Sequence, residues 1–249
     1  LLYANGTEKA ITWMNSTVNG HPVIPRTGYI VEFNALWYNA LKIMARLAEK
    51  YENKQLCRKY LEMAEKTKKS FDEKFYNEEK HCLYDVLGDS KVRPNQLFAL
   101  SLSHPIVDNA EIAEQVLNTV ENKLLNKYGL KTLSSDEDGY VDVYEGSAYR
   151  RDSSYHQGIT WPWLLGLYYD ALKNTMIIEK NRTKRQELEE KITKLVYTTK
   201  ETFKAEMFER SSIGTISEIY DSTEPYEERG AFAQAWSVAE IFRIVLNKR

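Results

Sequence analysis

The sequence predicts an all-α fold built from two layers of antiparallel helical hairpins, and three observations support this prediction. Seven segments carry apolar residues at helical spacing. Along the chain, these segments alternate between helices that are apolar around most of their circumference and helices with one charged face. No segment shows the alternating pattern of a long β-strand. An α/α toroid shows this arrangement, and so does a two-layer solenoid, but the chain lacks a fixed-period repeat.

The seven helices follow one another with short or long connections. The first is predicted over residues 32–50 and the second over 57–75. A short third helix follows in RPNQLFALSLSH, where Pro94 occupies the first turn and its missing N–H removes no helical hydrogen bond. The fourth is predicted over 112–124, the fifth in TWPWLLGLYYDALKN, the sixth over 185–203 and the seventh in AFAQAWSVAEIFRIVLNK. We expect only small ribbons elsewhere, in CLYDVL and in short pieces of the long loops.

Four long and irregular loops lead into the predicted buried helices. They are residues 12–28, the stretch that ends in VRPNQ, residues 129–157 and residues 210–229. Because the inner helices of a toroid run parallel, the four loops should meet at one end of the molecule. Binding and catalytic sites are commonly built from loops on one face of a rigid scaffold. The sequence therefore predicts a functional site where these loops meet.

The composition is that of a globular protein with a large core. Of 249 residues, 43% are hydrophobic and 28% are charged. A formal net charge of −2 with interleaved signs gives no basic surface for nucleic acid or an anionic membrane, and no apolar run has membrane-spanning length. The two cysteines and four histidines lack the spacing of metal ligands. We expect one domain over residues 1–249, which begins inside a longer polypeptide because neither an initiator Met nor a signal peptide is present.

The loop segments resemble a known enzyme family. The matching stretches are TWMNSTVNGHPVIPRTGYIVEFNALWYNAL, RPNQLFALSL, GLKTLSSDEDGYVDVYEGSAYRRDSSYHQGITWPWLLGLY and SEIYDSTEPYEERGAFAQAWSVAEI. In this order, and covering most of the chain, they resemble the amylo-α-1,6-glucosidase domain of glycogen debranching enzymes. The resemblance implies an (α/α)6 toroid of the six-hairpin glycosidase type. The seven helices would be about its C-terminal half, with the remaining helices and an N-terminal domain upstream.

The resemblance also implies a chemistry, namely inverting hydrolysis of the α-1,6-linked glucose at a glycogen branch point. Such a reaction uses a carboxylic acid on the leaving oxygen and a carboxylate that activates water, about 6.5–9.5 Å apart. The family's base is the Glu of a short motif that matches SEI, which implies Glu218 here. The family's acid is the Asp of TWMD, and this chain has Asn15 at that position. An amide cannot donate a proton at neutral pH, and loss of general-acid catalysis costs a factor of about 10²–10⁴.

Three explanations for Asn15 remain open at this stage. Another loop could supply the acid, with Glu32, Asp142, Glu145 and Asp152 as candidates. The chain could be an α-glucan-binding module on the same scaffold with impaired catalysis. The residue could also be an altered position. A different six-hairpin activity, such as that of a glucoamylase or a trehalase, is a further enzymatic alternative.

The remaining polar and aromatic residues of the loops suit a neutral sugar, which calls for stacking area and oriented hydrogen bonds. Tryptophan faces can stack on a pyranose, although each indole could equally belong to the core. The predicted substrate-binding residues are Trp13, Arg26, Glu32, Arg93, Asn95, Asp152, His156, Gln157, Trp161 and Trp163. The expected partner is glycogen or a branched α-glucan, in the cytoplasm, with no cofactor, metal, nucleic acid or membrane.

Overall fold

The computed structural model describes residues 1–210 and 213–246, and most of them lie in helices or in the loops between helices. The described residues form eight α-helices. They are α1 (Val31–Lys50), α2 (Lys54–Asp72), α3 (Phe98–Ser101), α4 (Ala110–Lys123), α5 (Ala148–Ser154), α6 (Leu164–Ile178), α7 (Arg182–Glu209) and α8 (Ala235–Leu246). A 3₁₀ turn at Pro94–Leu97 leads directly into α3.

All seven predicted helices are present, and α5 is an addition. The seventh helix begins four residues later than predicted, and its predicted last residues Asn247 and Lys248 lie outside the described residues. Side-chain caps determine where several helices begin. Asn53, Asn109 and Asn181 each accept hydrogen bonds from backbone N–H groups of the first turn that follows. These three caps start α2, α4 and α7, the helices with one charged face.

The helices pack in two layers, as the alternation along the chain predicts. Helices α1, α3, α6 and α8 form a row in which each helix contacts the next. Helix α2 packs on α1, α4 packs on α6, and α7 packs on both α6 and α8. The core between the layers includes Leu41, Phe71, Leu117, Leu165 and Ile192, all buried.

The two helices at the ends of the row are less buried than the sequence predicts. On α1, the apolar side chains of Leu36, Ile43 and Leu47 are 39–42% exposed. On α8, Phe242 is 42% and Leu246 is 67% exposed. Helix α6 has neighbours on both sides and buries most of its circumference, whereas α1 and α8 each have a row neighbour on one side only. The apolar pattern therefore marks surfaces of α1 and α8 that the described residues do not cover.

A five-stranded antiparallel sheet corrects the all-α prediction. Its strands are β5 (Leu125–Asn126), β6 (Gly129–Lys131), β7 (Thr160–Trp161), β8 (Ile219–Tyr220) and β9 (Glu228–Arg229), in that order. Two separate ribbons pair β1 (Thr17–Val18) with β2 (His21–Pro22) and β3 (Tyr76–Asn77) with β4 (Cys82–Leu83), the latter within the predicted CLYDVL region. Strands of two or three residues are too short to show a period of two. The sheet links the third long loop to the fourth, because β7 pairs with β6 of the third loop and, through Thr160 and Tyr220, with β8 of the fourth.

None of the helices in the described ranges is both long and apolar enough to cross a membrane.

Candidate active site

The four long loops contact one another through side-chain hydrogen bonds. The indole N–H of Trp13, in the first loop, donates to Oδ1 of Asn95 at 2.7 Å. The Arg93 guanidinium, in the second, donates to the carbonyl of His156 at 2.8 Å. The hydroxyl of Tyr155, in the third, donates to Oε1 of Glu218 in the fourth at 2.5 Å. The loops therefore meet in one place, as the parallel arrangement of inner helices predicts.

Aromatic rings line this meeting point, and we call them the aromatic wall. Its members are Trp13, Tyr155, His156, Trp161, Trp163 and Trp236. The ring of Trp13 lies 5.5 Å from Trp161 and 5.0 Å from Trp163, nearly perpendicular to both. Trp161 is only 1% exposed and belongs to the core, whereas Trp13 and Trp163 remain partly exposed. Tyr155 and Trp236 are partly exposed as well, so these four rings, unlike Trp161 and His156, can offer surface to a ligand without rearrangement.

Behind Trp13 lies a buried ionic network. The Arg26 guanidinium donates to both carboxylate oxygens of Glu32, and to Oδ1 and Oδ2 of Asp85 at 2.9 and 3.0 Å. Asn95 links this network to Trp13, because its amide nitrogen donates to Oδ1 of Asp85 at 2.8 Å. All four polar side chains are at most 3% exposed. Arg26, Glu32 and Asn95 were predicted to bind sugar, and in the structure their hydrogen bonds fix the orientation of Trp13.

The protonation of this network follows from its burial and its charges. Burial alone lowers the pKa of Arg26, but the carboxylates of Asp85 and Glu32 raise it above its ordinary value. Burial raises the pKa of Glu32, and the adjoining Arg26 cation opposes that shift. Asp85 is a partner that the sequence prediction missed. It lies in a short segment after β4, with no periodicity or motif that would single it out.

The Arg93 guanidinium holds the third loop in place through hydrogen bonds to three of its residues. Arg93 is 2% exposed and donates Nη1 to the carbonyl of Thr132 at 3.1 Å, in addition to that of His156, and Nη2 to Oε1 of Gln157 at 2.6 Å. Burial lowers the pKa of Arg93. Burial, together with the charge of Arg93, also lowers the pKa of His156 to about 3. His156 is therefore a neutral imidazole at physiological pH and cannot act there as an acid.

Glu218 is held differently, by neutral donors. Its Oε1 accepts from the Tyr155 hydroxyl and from Nε2 of Gln234 at 3.1 Å, and its Oε2 accepts from the backbone N–H of Ala231 at 2.9 Å. No Lys or Arg in residues 1–210 or 213–246 forms an ion pair with it, and the residue is half-exposed. Burial and the neighbouring Glu218 carboxylate raise the pKa of Tyr155, which keeps the phenol protonated as a donor.

The two oxygens of Glu218 are not equivalent. Oε1 already accepts two hydrogen bonds, whereas Oε2 accepts one. Gly230 faces Oε2 with a φ of +70°, and a Cβ at this position would lie 2.4 Å from Oε2. A side chain at position 230 would therefore displace the carboxylate, and its φ is one that other residues rarely adopt. Oε2 is the oxygen with the capacity to accept a proton from a bound molecule.

A short hairpin places Glu218, which immediately precedes β8. Tyr220 of β8 donates its hydroxyl to Oε1 of Glu206 on α7 at 2.9 Å, and Arg210 donates Nε to Glu228 of β9 at 2.8 Å. Glu206 is 3% exposed, and burial raises its pKa to about 7. Glu206, near the end of α7, therefore anchors the hairpin that places Glu218, and it titrates near neutral pH.

Asn15 lies in the first long loop, two residues after Trp13. Its neighbours Met14 and Ser16 are buried, with the Met14 sulfur 3.5 Å from the Asn95 amide nitrogen and the Ser16 hydroxyl 3.3 Å from Nδ1 of His156. Asn15 itself is exposed. The burial therefore alternates along residues 14–16, and the Asn15 side chain points away from the packed face.

The segment that leads to Asp152 contacts the hairpin that follows Glu218. Asp152 is half-buried on α5, and the adjacent Arg151 is hydrogen-bonded to the Tyr144 hydroxyl. The backbone N–H of Tyr144 donates to Oδ1 of Asp221 at 2.8 Å, just after β8. The helix α5 also packs against β1, which follows Asn15. The seven residues of α5 carry no apolar periodicity, so the sequence prediction placed them in a loop.

Several residues of the site were missed from the sequence, namely Asp85, Tyr155, Gly230 and Gln234. Tyr155 adjoins the predicted His156, and Gln234 lies in the apolar stretch before α8, so neither stood out by composition. In residues 1–210 and 213–246, no three His, Cys, Asp or Glu side chains are grouped as metal ligands would be.

Comparisons with known proteins agree with this geometry at the level of the family and the fold. Residues 1–243 match the amylo-alpha-1,6-glucosidase family. Among solved structures, the alignment with a sialidase covers 95% of this chain and 22% of the sialidase chain, at 11% identity and a TM-score of 0.63. A GH63 mannosylglycerate hydrolase from Thermus thermophilus, in complex with Tris, aligns with 88% of this chain and 45% of its own, at 12% identity and a TM-score of 0.55.

An uncharacterized conserved protein from Thermus thermophilus is similar too, over 88% of this chain and 46% of its own, at 14% identity and a TM-score of 0.57. At these identities the likeness concerns the fold alone. The chain spans less than half the length of each of these three structures.

Proposed function

Because the chain belongs to the amylo-alpha-1,6-glucosidase family, we propose that it is the glucosidase domain of a debranching-type glycoside hydrolase. Its reaction would remove α-1,6-linked glucose from branch points of glycogen or a similar α-glucan, with Glu218 as the general base. The observation that carries this proposal is the Glu218 carboxylate, which is half-exposed beside the aromatic wall and bound by three neutral donors.

The proposed reaction assigns separate roles to the two oxygens of Glu218. Oε1 is held by Tyr155 and Gln234, while Oε2 takes a proton from water as the water oxygen attacks C1 of the sugar. The bond from C1 to the leaving oxygen breaks, the leaving oxygen keeps the electron pair and takes a proton from solvent water, and the configuration at C1 inverts. General-base catalysis of this kind contributes a factor of about 10²–10⁴.

Within the proposal, the predicted substrate-binding residues divide into two groups. Trp13 and Trp163 are partly exposed, and Gln157 and Asp152 are half-buried, so these four can contact a sugar. The others support them from behind the surface. The supporting residues are Arg26, Glu32, Arg93, Asn95, His156 and Trp161, each at most 3% exposed.

We also propose that residues 1–249 are part of a larger (α/α)6 domain. The exposed apolar faces of α1 and α8, at the two ends of the row, support this because each resembles a buried surface without its neighbour. In a closed toroid, further helical hairpins would join the α1 end to the α8 end. The same gap explains why a row of four inner helices does not close on itself.

A second candidate function is an α-glucan-binding module with impaired hydrolysis. The amide of Asn15 favours it, because the family position for the acid then carries no proton to donate. The aromatic wall would serve a binding module as well as an enzyme. The two candidates differ only in whether the bound glucan is cleaved.

The test is to incubate the complete gene product with a branched limit dextrin and to measure free glucose. We expect slow release that rises about 10²–10⁴-fold in Asn15→Asp and is lost in Glu218→Gln. If the dextrin binds and neither the native protein nor Asn15→Asp releases glucose, the binding module is the correct function. A parallel panel of α-1,4 and α,α-1,1 glucosides identifies a glucoamylase- or trehalase-like activity.

A further inference from the structure

The hairpin that carries Glu218 is bound to the C-terminal end of α7 through both of its strands. Tyr220 and Glu228 lie directly opposite each other in the β8–β9 pair. The Tyr220 hydroxyl donates to Oε1 of Glu206 at 2.9 Å, and Oε1 of Glu228 accepts from Nε of Arg210 at 2.8 Å. Glu206 and Arg210 are four residues apart and are neighbours at the end of the helix. Both strands of the hairpin are therefore held at the same place on α7.

The backbone of the hairpin passes this position on to Glu218. The N–H of Glu218 donates to the carbonyl of Ala231 at 2.9 Å, and the N–H of Ala231 donates to Oε2 of Glu218 at 2.9 Å. Glu218 precedes Tyr220 by two residues, which is about 7 Å along an extended strand. A shift of the hairpin on α7 therefore moves the Glu218 carboxylate with it.

The contact between the hairpin and α7 contains two carboxylates and one cation. Oε2 of Glu206 lies 3.4 Å from Nε of Arg210, but the single N–H of that nitrogen donates to Glu228. The other guanidinium nitrogens donate to the Tyr128 hydroxyl at 3.1 Å and to the carbonyl of Tyr226 at 3.2 Å. Among the described residues, no donor reaches the buried Oε2 of Glu206. An ionised Glu206 would thus be buried, with one oxygen lacking a hydrogen bond.

A proton on Glu206 removes this imbalance. A carboxylic acid donates one hydrogen bond, and the Glu228 carboxylate is the acceptor for it. Burial raises the pKa of Glu206 to about 7, and Glu228 adds to this shift, while the Tyr220 hydroxyl and the Arg210 cation oppose it. Glu206 is therefore largely protonated below neutral pH and largely ionised above it.

The other charged side chains of this region act elsewhere. Arg229 of β9 is paired with Asp221 at 2.8 Å, and Lys127, in the turn between β5 and β6, lies over the Tyr128 ring at 5.2 Å from its centroid. The ring of Tyr128 in turn stacks on that of Tyr220 at 4.4 Å. The groups that face Glu206 from α7, β8 and β9 are thus Arg210, Tyr220 and Glu228.

From these contacts we propose that Glu206 is a positioning residue whose proton holds the Glu218 hairpin in its reactive position, so that hydrolysis slows when the proton is lost. The inference rests on the proposed function, because it takes Glu218 as the base. With the proton present, Glu206 and Glu228 together carry one negative charge, which Arg210 balances. Without it, two negative charges share one cation at a buried place, and the hairpin is held less firmly on α7. The effect falls on kcat, because Glu206 acts on the base and does not touch the sugar.

The experiment follows kcat and KM of the complete gene product on α-D-glucosyl fluoride between about pH 5.5 and pH 9. Fluoride departs without protonation at neutral pH, so the ionisation of a general acid does not shape the profile. We expect the native kcat to fall as the pH rises through 7, with little change in KM. The fall should reach up to about 10²-fold, the loss that a displacement of about 1 Å produces.

Two variants and a matched control identify Glu206 as the origin of the fall. Glu206→Gln still donates to Glu228 and accepts from Tyr220, so its kcat should equal the native value in the acidic half of the range and should not fall above it. Tyr220→Phe removes the hydroxyl that stabilises ionised Glu206, so the fall should move to higher pH. Glu227→Gln removes an exposed carboxylate from the same hairpin and should give the native profile. Thermal unfolding at each pH shows whether every variant is folded during the assay.

Three results distinguish the possible failures. If the fluoride is hydrolysed without a fall near pH 7, or if Glu206→Gln shows the same fall as the native protein, the inference is wrong and the proposed function stands. If Glu206→Gln is slower at every pH and keeps the native profile, Glu206 serves the fold alone, and the inference is again wrong. If the native protein does not hydrolyse the fluoride, or Glu218→Gln hydrolyses it equally well, the proposed function is overturned.

Discussion

The two sides of the candidate site hold their carboxylates in opposite ways. On the side of Trp13, Glu32 and Asp85 are buried and share one guanidinium, that of Arg26. On the other side, Glu218 is half-exposed and is bound by the neutral donors of Tyr155, Gln234 and Ala231. Only the second arrangement leaves a carboxylate oxygen with spare accepting capacity.

This difference shows how similar residue types serve structure and chemistry in one site. A buried carboxylate neutralised by arginine fixes geometry, and removing its partner leaves an uncompensated charge. A carboxylate held by neutral donors keeps its charge available to a substrate. We therefore expect substitutions on the Trp13 side to affect stability first, and substitutions around Glu218 to affect the reaction first.

Arg26→Met should have the largest effect on stability. The variant leaves Glu32 and Asp85 buried without their cation, which should lower the free energy of unfolding by about 3–5 kcal/mol. Urea denaturation measures this value. In the control, Lys191→Met removes the partly exposed ion pair with Glu121 and should cost about 1 kcal/mol or less. Equal losses in the two variants would show that the buried network does not carry the stability assigned to it.

Glu206, which anchors the Glu218 hairpin, should make the free energy of unfolding depend on pH. Its pKa of about 7 in the folded protein lies above its ordinary value of 4.5, so the folded state binds the proton more tightly. This contribution is fully present below pH 4.5 and is lost as the pH rises through 7, with a change on the order of 2 kcal/mol.

Glu206→Gln should remove this loss, because the amide cannot ionise and still accepts from Tyr220. Denaturation curves between about pH 5 and pH 8 measure the difference. As the pH rises, the free energy of unfolding of Glu206→Gln should increase relative to that of the native protein. Glu209→Gln, at an exposed position on the same helix, is the control, and its free energy of unfolding should follow the native pH dependence. If the free energy of unfolding rises with pH more steeply in the native protein than in Glu206→Gln, the raised pKa assigned to Glu206 is wrong.

The smallest of these effects concerns Tyr155. In Tyr155→Phe, Glu218 loses a donor to Oε1 but keeps Gln234 and Ala231, so hydrolysis of α-D-glucosyl fluoride should fall about 10- to 100-fold, since a hydrogen bond to a charged group contributes roughly 1.5–3 kcal/mol. Tyr144→Phe, whose hydroxyl bonds to Arg151, is the matched control and should change this rate much less. Identical behaviour of the two variants would exclude a positioning role for Tyr155.

The helices could be predicted from the sequence because their apolar residues repeat over many turns. The meeting of the loops followed from the order of inner and outer helices, and it is confirmed by the contacts from Trp13 through to Glu218. The short strands were missed because a two-residue strand such as β8 carries no period. Helix α5 was missed for a similar reason, since its seven residues have no apolar face.

The contacts inside the site could not be predicted, because they depend on pairs far apart in the chain. Arg26 and Asp85 are separated by 59 positions, and Tyr155 and Glu218 by 63. Nothing in the local sequence distinguishes an arginine that binds a sugar hydroxyl from one that binds two buried carboxylates. The exposed faces of α1 and α8 show the same limit, because an apolar pattern predicts a partner without identifying it.

The most direct test of the account is the anomeric form of the glucose released from α-D-glucosyl fluoride, followed by NMR in the native protein and in Glu218→Gln. The account predicts that β-glucose appears first in the native reaction, and that Glu218→Gln lowers its rate about 10²–10⁴-fold. α-Glucose as the first product, or an unchanged rate in Glu218→Gln, would contradict the assignment of Glu218 as the base that activates water.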